Sequence, residues 1–308
     1  MNAPLLRLRT QSGFVPVGAC LGLSLVREMY TPYESLSGLF LIDEQTDISN
    51  VSAVELLWEE TSIFLGIADR IEKICRDGVW MLRVRSRTFP SLLTQNELEA
   101  GLHSNLTLQS LVSGFYTIPN VTAEENSQTG YIFVRDGTTL WDSVAVFVYK
   151  ISGRYPFVQN NHVRFSLDAT PAVHVPAQIT QTAEKLDSTR IFSHFHMEDM
   201  QGNPDAYQLE TVAARQFQIV RHRQIGFDRQ FLSDPNQALS FRSRFSCRDM
   251  RSRCVSYAGF ENEQLGEKVR CGQFLQDKII CKVQLTFGAQ GLRTSLWAYE
   301  DGFYNQSL

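Results

Sequence analysis

The clearest pattern along the chain is a pair of long extended runs that meet at Asp77-Gly78, within TSIFLGIADRIEKICRDGVWMLRVRSRTFPSLL (residues 61–93). Asp-Gly between extended segments is a strong two-residue hairpin signal, because a type I′ turn needs positive φ at both central positions. The first run, Ile63 to Arg76, is about twice the length of an average strand. Within it Asp69, Arg70, Glu72 and Lys73 interrupt Ile67, Ile71 and Ile74. The second run alternates cleanly: Trp80, Leu82 and Val84 fall on one face, Met81, Arg83, Arg85 and Arg87 on the other. One side is built for a core, the other for water, acidic groups or another subunit.

Shorter runs of the same texture precede this hairpin. Pro4–Arg9, Gly18–Met29, Leu36–Asp43 and Val51–Trp58 read as strands, with a Thr-Pro turn at 31–32. Their spacing of eight to twelve residues is the rhythm of a sandwich or barrel. Thr88-Phe89-Pro90 closes the region. From about residue 94 the period changes. Leu106, Leu108, Leu111 and Val112 predict a short helix ending at Gly114, and 119–130 is a polar loop. DGTTLWDSVAVFVYKISG carries the best helix signal: Thr139 with Asp142 three residues on resembles a capping box, Trp141, Val144, Ala145 and Val148 form one stripe, and Gly153 is a C′ stop. A hairpin over Tyr155–Leu167, turning at Asn160-Asn161, completes a small α/β module.

Residues 169–187 read as a connector bearing proline and threonine. β structure is expected again over Arg190–Met197 and Tyr207–Ile225. Ser233 or Asp234 should then cap a helix with Pro235 in its first turn. Ala238, Phe241 and Phe245 form its buried stripe, while Arg242, Arg244, Arg248 and Arg251 load its other faces and its C-terminal end. A second long hairpin closes the chain, Ile279 to Phe287 and Leu292 to Ala298 about Gly288-Ala289-Gln290-Gly291. The expected fold is mainly β (α+β), in three parts: residues 1–95, a small α/β insert at 96–168, and a C-terminal β domain with one helix at 169–308.

Composition narrows the function. With 308 residues, 43% hydrophobic and 20% charged, the chain is an ordinary globular protein of two or three domains. A net charge of −4 argues against gripping nucleic acid as its main task. No apolar run approaches the length of a membrane span, and arginines stand where a signal peptide needs its apolar core, so the cytosol is the expected folding site. Six cysteines (Cys20, Cys75, Cys247, Cys254, Cys271, Cys281) form no CxxC pair, which favours reduced, buried thiols over disulfides or zinc.

Candidate chemistry is sparse. His194-Phe195-His196, followed by Glu198 and Asp199, could bring two imidazoles to one ion from one strand face, but no third histidine or cysteine lies nearby in sequence; two partly exposed strand histidines is the simpler account. Arg221-His222-Arg223, with the arginines of 242–253, concentrates positive charge. A solvated helix face with acidic partners across an interface explains it better than a phosphate backbone, which would need interleaved aromatics. Cys75 or Cys247 as a nucleophile needs a partnered histidine. Asp43-Glu44, Glu59-Glu60 and Glu124-Glu125 are adjacent, point apart on extended backbone, and read as surface charge. Phosphate-loop, dinucleotide and GxSxG motifs are absent from the sequence, so no catalytic, cofactor or metal residue is assigned and the chain reads as a non-enzyme without a cofactor.

The order of these pieces resembles the baseplate hub family of contractile phage tails, the Mu-like tail hub group, related in fold to the hub domains of type VI secretion spikes. The long hairpin is similar to the family's through Gly66, Ile67, Asp69, Asp77, Gly78, Leu82, Val84, Ser86, Arg87 and Leu92. NLTLQSLVSGF resembles the short helix after it. DGTTLWDSVAVFVYKISGRYPFVQNNHVRFS resembles the hub insert, and Gly291, Thr294, Leu296 and Tyr304 occupy the places of the family's ending. The resemblance implies two tail-tube-like β-barrel domains flanking the insert, with strands partly shared. It implies a homotrimer adapting the sixfold tail tube to the threefold spike. Expected partners are a central spike protein, a tube protein or tube-initiating ring, and baseplate wedge proteins, with tape-measure protein in the lumen and DNA passing without specific binding. Location would be the virion tail baseplate, assembled in the host cytoplasm. Two alternatives stand beside it. A tail-associated cell-wall hydrolase would rest on His194, His196, Glu198 and Asp199. A secretion-spike hub would normally continue into a β-helical needle, which after Leu308 would have to be a separate protein.

Overall fold

A computed structural model of the chain describes residues 3–305. Eleven strands join in one sheet: β1 (Leu5–Thr10), β2 (Gly13–Pro16), β3 (Cys20–Glu28), β4 (Ser35–Leu41), β5 (Ala53–Trp58), β6 (Thr61–Arg76), β7 (Val79–Thr88), β8 (Ile179–Leu186), β9 (Arg251–Ala258), β10 (Lys282–Gly288) and β11 (Gly291–Tyr299). Their order is β8-β9-β11-β10-β3-β4-β7-β6-β5-β1-β2, antiparallel throughout. The fold is mainly β, as the alternation predicts. The sheet is open: β2 and β8 are its edges, and no closed barrel forms among the described residues.

The length of β6 has a specific use. Its first part pairs with β5, from Trp58↔Thr61 to Ala53↔Ile67. From Gly66 onward it pairs with β7, with a bulge between Ile67 and Arg70. One strand thus hands the sheet from one ladder to the next. Gly66 sits at the handover, where a Cβ would run into the Arg87 carbonyl oxygen. The turn behaves as the sequence predicts, with Asp77 at φ 54° and Gly78 at φ 77°.

Beside the sheet lie α1 (Leu108–Ser113), α2 (Leu140–Ser152), α3 (Val212–Gln216) and α4 (Asn236–Cys247). The Thr139–Asp142 capping box forms, and Gly153 ends α2 in the left-handed region at φ 68°. Asn160 and Asn161, both at positive φ, turn the short hairpin Phe157–Gln159/His162–Arg164. One apolar core lies within β1–β7, around Leu6, Leu25, Leu56, Phe64 and Leu82, and takes in Leu285 of β10. A larger core joins α1, α2 and α4 to β9–β11 through Val144, Phe147, Ala238, Val255 and Leu296.

A buried polar knot ties these parts together. The Arg27 guanidinium donates to the carbonyls of Glu263 (2.8 Å) and Ile63 (2.7 Å) and lies 3.6 Å from Glu34 Oε2, all inside the protein. Glu34 in turn accepts from the Asn160 N–H at 3.1 Å, and Asn161 holds the Phe89 N–H and the Leu65 carbonyl.

Four sequence expectations need correction. The 169–187 connector contains β8 and a short strand, Val173–His174. Tyr207–Ile225 is broken by α3 between Tyr207–Glu210 and His222–Ile225. The last helix ends at Cys247, so Arg251 starts β9 instead of closing a helix. The polar loop 119–130 carries a two-residue strand, Thr122–Ala123, beside His162–Val163.

Candidate functional site

Pairing across the sheet places side chains in rows, and the two faces differ sharply. On one face Thr294, Leu285, Leu25, Leu36 and Ser86 stand side by side across β11, β10, β3, β4 and β7 and are all buried. One residue along each strand, the other face presents Arg293, Thr286, Ser24, Ser37, Arg85 and Arg70 in one row over six strands. A neighbouring row holds Gly22, Leu39, Arg83 and Glu72. This polar, small-residue surface runs without a break across the β3–β10 junction, where strands from the two ends of the chain meet. Asp69 grips Arg87 through two 2.8 Å hydrogen bonds, and Glu72 lies between Arg70 and Arg83, whose guanidiniums hold its carboxyl below the usual range, chiefly Arg70. Arg85 is exposed, makes no ion pair among the described residues, and stands directly opposite Arg70.

The histidine candidates do converge, and with a partner the sequence reading placed elsewhere. His194 and His196 share one face of Phe195's strand, and His222 lies on the next strand, paired in register with His194. The three rings stack, with centroids 4.5 Å apart for His194–His222, and His196 Nε2 meets His222 Nδ1 at 2.9 Å. Asp205 Oδ1 is 2.8 Å from His196 Nδ1, though outside hydrogen-bond geometry. Glu198 and Asp199 do not join them: Glu198 accepts from the Phe227 N–H at 3.3 Å, and Asp199 caps its own turn at Gln201 and Asn203. The adjacent Ser193 hydroxyl is held by the Arg221 backbone at 2.8 and 2.9 Å. The same hydroxyl also lies 2.9 Å from His194 Nδ1.

Much of the arginine concentration is engaged by the chain's own groups. Arg242 pairs with Asp228 (2.6 Å), and Arg251 with Asp301. Arg244 donates to the Gly153 carbonyl and covers Phe303 at 4.6 Å, and Arg248 covers Phe245 at 3.9 Å. Arg221 donates to the carbonyls of Ser188, Thr189 and Ile191. For Arg242 and Arg251 the acidic partners expected across an interface are supplied by the chain itself.

The other candidates separate as well. All six cysteines are free thiols. Burial pushes Cys281 up to about 12 and Cys20 up to about 11, and raises Cys247 and Cys254, which keeps them protonated and inert. Cys75 is exposed at the end of β6. Glu59 and Glu60 form the β5–β6 turn, both at positive φ. Glu124 is not surface charge: its carboxylate accepts the N–H groups of Phe165 (2.9 Å) and Ser166 (3.1 Å) and the Ser166 hydroxyl. A groove of about 950 Å³ at the hairpin end of the sheet, lined by Thr10, Pro16, Asp43, Asp47 and Trp80 among others, contains no histidine, cysteine or basic side chain. No helix among the described residues is long and apolar enough to cross a membrane.

No family model matches the sequence, and no curated protein matches it. Solved structures do. A tail protein from Neisseria meningitidis MC58 superposes with a TM-score of 0.71 over 98% of each chain, at 14% identity. The 43 kDa tail protein of prophage MuSo2 from Shewanella oneidensis gives 0.70 over 96% of this chain and 98% of that one, at 10% identity. An E. coli protein described as a component of the type VI secretion system gives 0.58, covering 98% of this chain and 79% of that one at 9% identity. The shared property is the fold.

Proposed function

We propose that this protein is a non-enzymatic structural hub of a contractile phage tail or phage-like particle, working as a homotrimeric ring between a sixfold tube and a threefold spike. The observation that carries the reading is the unbroken polar face over β11, β10, β3, β4, β7 and β6, set on a fold that two tail proteins share along nearly their whole length. Such a face suits a lumen or a subunit contact better than a catalyst, because it is broad, shallow and built from Ser, Thr, Gly and Arg. The seven strands β1–β7 and the four strands β8–β11 act as two tube-like units sharing the β3–β10 ladder. Each becomes barrel-like when a neighbouring copy meets the free edges at β2 and β8, whose residues are mostly exposed. The proposed domain division is residues 1–95, 96–168 and 169–308. Spike, tube and wedge proteins are the proposed partners, and the virion tail baseplate the proposed location.

The second reading, a hub of a secretion-system spike, is favoured by the fold shared with the type VI component. Mass photometry of the purified chain, alone and with its spike and tube partners, tests the common core of both. The expected species is a trimer; a monomer that persists at assembly concentrations overturns the ring. Peptidoglycan release that disappears in His196→Ala would favour the hydrolase instead.

A further inference from the structure

A group that the proposed role does not use lies beside the Arg27 knot. The short strand Val173–His174 runs parallel to Lys268–Cys271, which sets His174 against the loop 261–267. In that loop Asn262 takes a positive φ of 59°, and the carboxylates on either side of it, Glu261 and Glu263, approach the same imidazole. One ligand atom from each of His174, Glu261 and Glu263 falls within 4.8 Å of the others. His174 Nε2 is already engaged by Glu267 Oε2 at 2.7 Å, which leaves Nδ1 facing Glu261 Oε2 at 3.6 Å. Glu267 is itself fixed by the Gln264 N–H at 2.7 Å. A carboxylate on the far nitrogen, orienting the ring and its tautomer, is the arrangement that metal-ligating histidines use.

The independent sign is Glu263. Its side chain is 0% exposed, its Oε1 accepts the Glu261 N–H at 3.2 Å, and its Oε2 is buried with no hydrogen-bond partner. A protonated His174 lying between Glu261 and Glu267 would satisfy those three groups and leave Glu263 Oε2 stranded. A cation satisfies all of them.

We infer that His174, Glu261 and Glu263 form a binding site for a divalent transition cation of the zinc or manganese class, with Glu267 as its positioning residue. One imidazole and two carboxylates suit such ions better than calcium or magnesium, which prefer all-oxygen sites. A tetrahedral zinc ion holds its ligand atoms about 3.3 Å apart, so closure asks mainly for movement of Glu261, whose side chain is 64% exposed. The fourth position stays open to water. The bound ion would clip the 173–174 strand to the loop whose Glu263 carbonyl receives Arg27.

The test is calorimetric titration of the EDTA-stripped full chain with Zn²⁺ and Mn²⁺, with Mg²⁺ as control, paired with thermal melts. One equivalent should bind, and the melting midpoint should rise by about 4 °C at 100-fold excess over Kd. Glu261→Gln, at an exposed position that tolerates change, and His174→Gln should each weaken binding at least about 10-fold, and Glu267→Gln by about 10–100-fold. His196→Ala should leave the titration unaltered. Absence of heat and of a melting shift overturns the site. So does binding that survives in Glu261→Gln and His174→Gln, or that is lost in His196→Ala, since the stacked histidines would then be the ligands.

Discussion

At the scale of single residues, the chain spends its buried charges on fixing segments to one another. Glu124 shows this most plainly. Burial works against its ionisation, but the N–H groups of Phe165 and Ser166 and the Ser166 hydroxyl more than offset that, so its carboxyl lies below the ordinary value. The sign follows directly. A depressed folded pKa gives stability that is complete above the unfolded value near ~4.3 and is lost as pH falls through the folded one. Glu124→Gln should therefore cost about 1.5–3 kcal/mol in urea unfolding at pH 7, the range for hydrogen bonds to a charged group, and the gap from the parent should shrink near pH 3. A gap that stays constant with pH would show that the carboxylate's charge plays no part.

At the scale of elements, glycines decide whether the long hairpin forms, for two different reasons. Gly78 is free of neighbours within 4 Å but holds φ 77°, so its role is conformational. Gly78→Val should lower soluble yield by straining the turn, at a cost of about 1–3 kcal/mol. Gly66 is the opposite case: its backbone is ordinary, and a Cβ meets the Arg87 carbonyl. Gly66→Ala should cost about 1–3 kcal/mol through overpacking and loosen β6 from β7, seen as faster amide exchange in 66–70 with the Asp77-Gly78 turn still protected. Parent-like exchange in both variants would remove the distinction. These elements were legible because their signals are local: alternation in β7, Asp-Gly, the Thr139–Asp142 box, Asn-Asn. What was not legible depends on distant partners. β8 reads as a polar connector, ITQTAEKL, because it is an edge strand whose pairing with β9 comes from residues some seventy positions on. β9 was hidden behind the arginines ascribed to the preceding helix. The Glu59-Glu60 turn has positive φ at residues that give no such hint. The same holds for the sites. His222 joins His194 and His196 only through a parallel strand, and His174 reaches Glu261 and Glu263 across the β8 and α4 regions, so neither group has a spacing to read.

At the scale of the whole molecule, the polar face carries a small electrostatic cost that the proposed ring would put to use. Arg70 and Arg85 are directly opposed on adjacent strands, and like charges in that position destabilise a sheet. Arg85→Glu should raise the stability of the isolated chain by about 0.2–1 kcal/mol while reducing trimer formation or tube binding at least several-fold, measured by chemical unfolding and by mass photometry. Loss of stability, or unimpaired assembly, would show that this face is ordinary solvent-exposed surface.

The junction of β3 with β10 sets a condition on biosynthesis. Ser24 and Gln284 lie 260 residues apart in sequence yet touch across adjacent strands. While the ribosome is still at work, β3 must wait with one edge bare until residues 282–287 have been made. Nascent chains in that state are exposed to premature pairing with each other, and contacts of such long separation form slowly. Production of this protein should gain from slower translation, lower temperature or a chaperone that shields that edge, and a truncation removing residues 282–299 should be recovered in inclusion bodies.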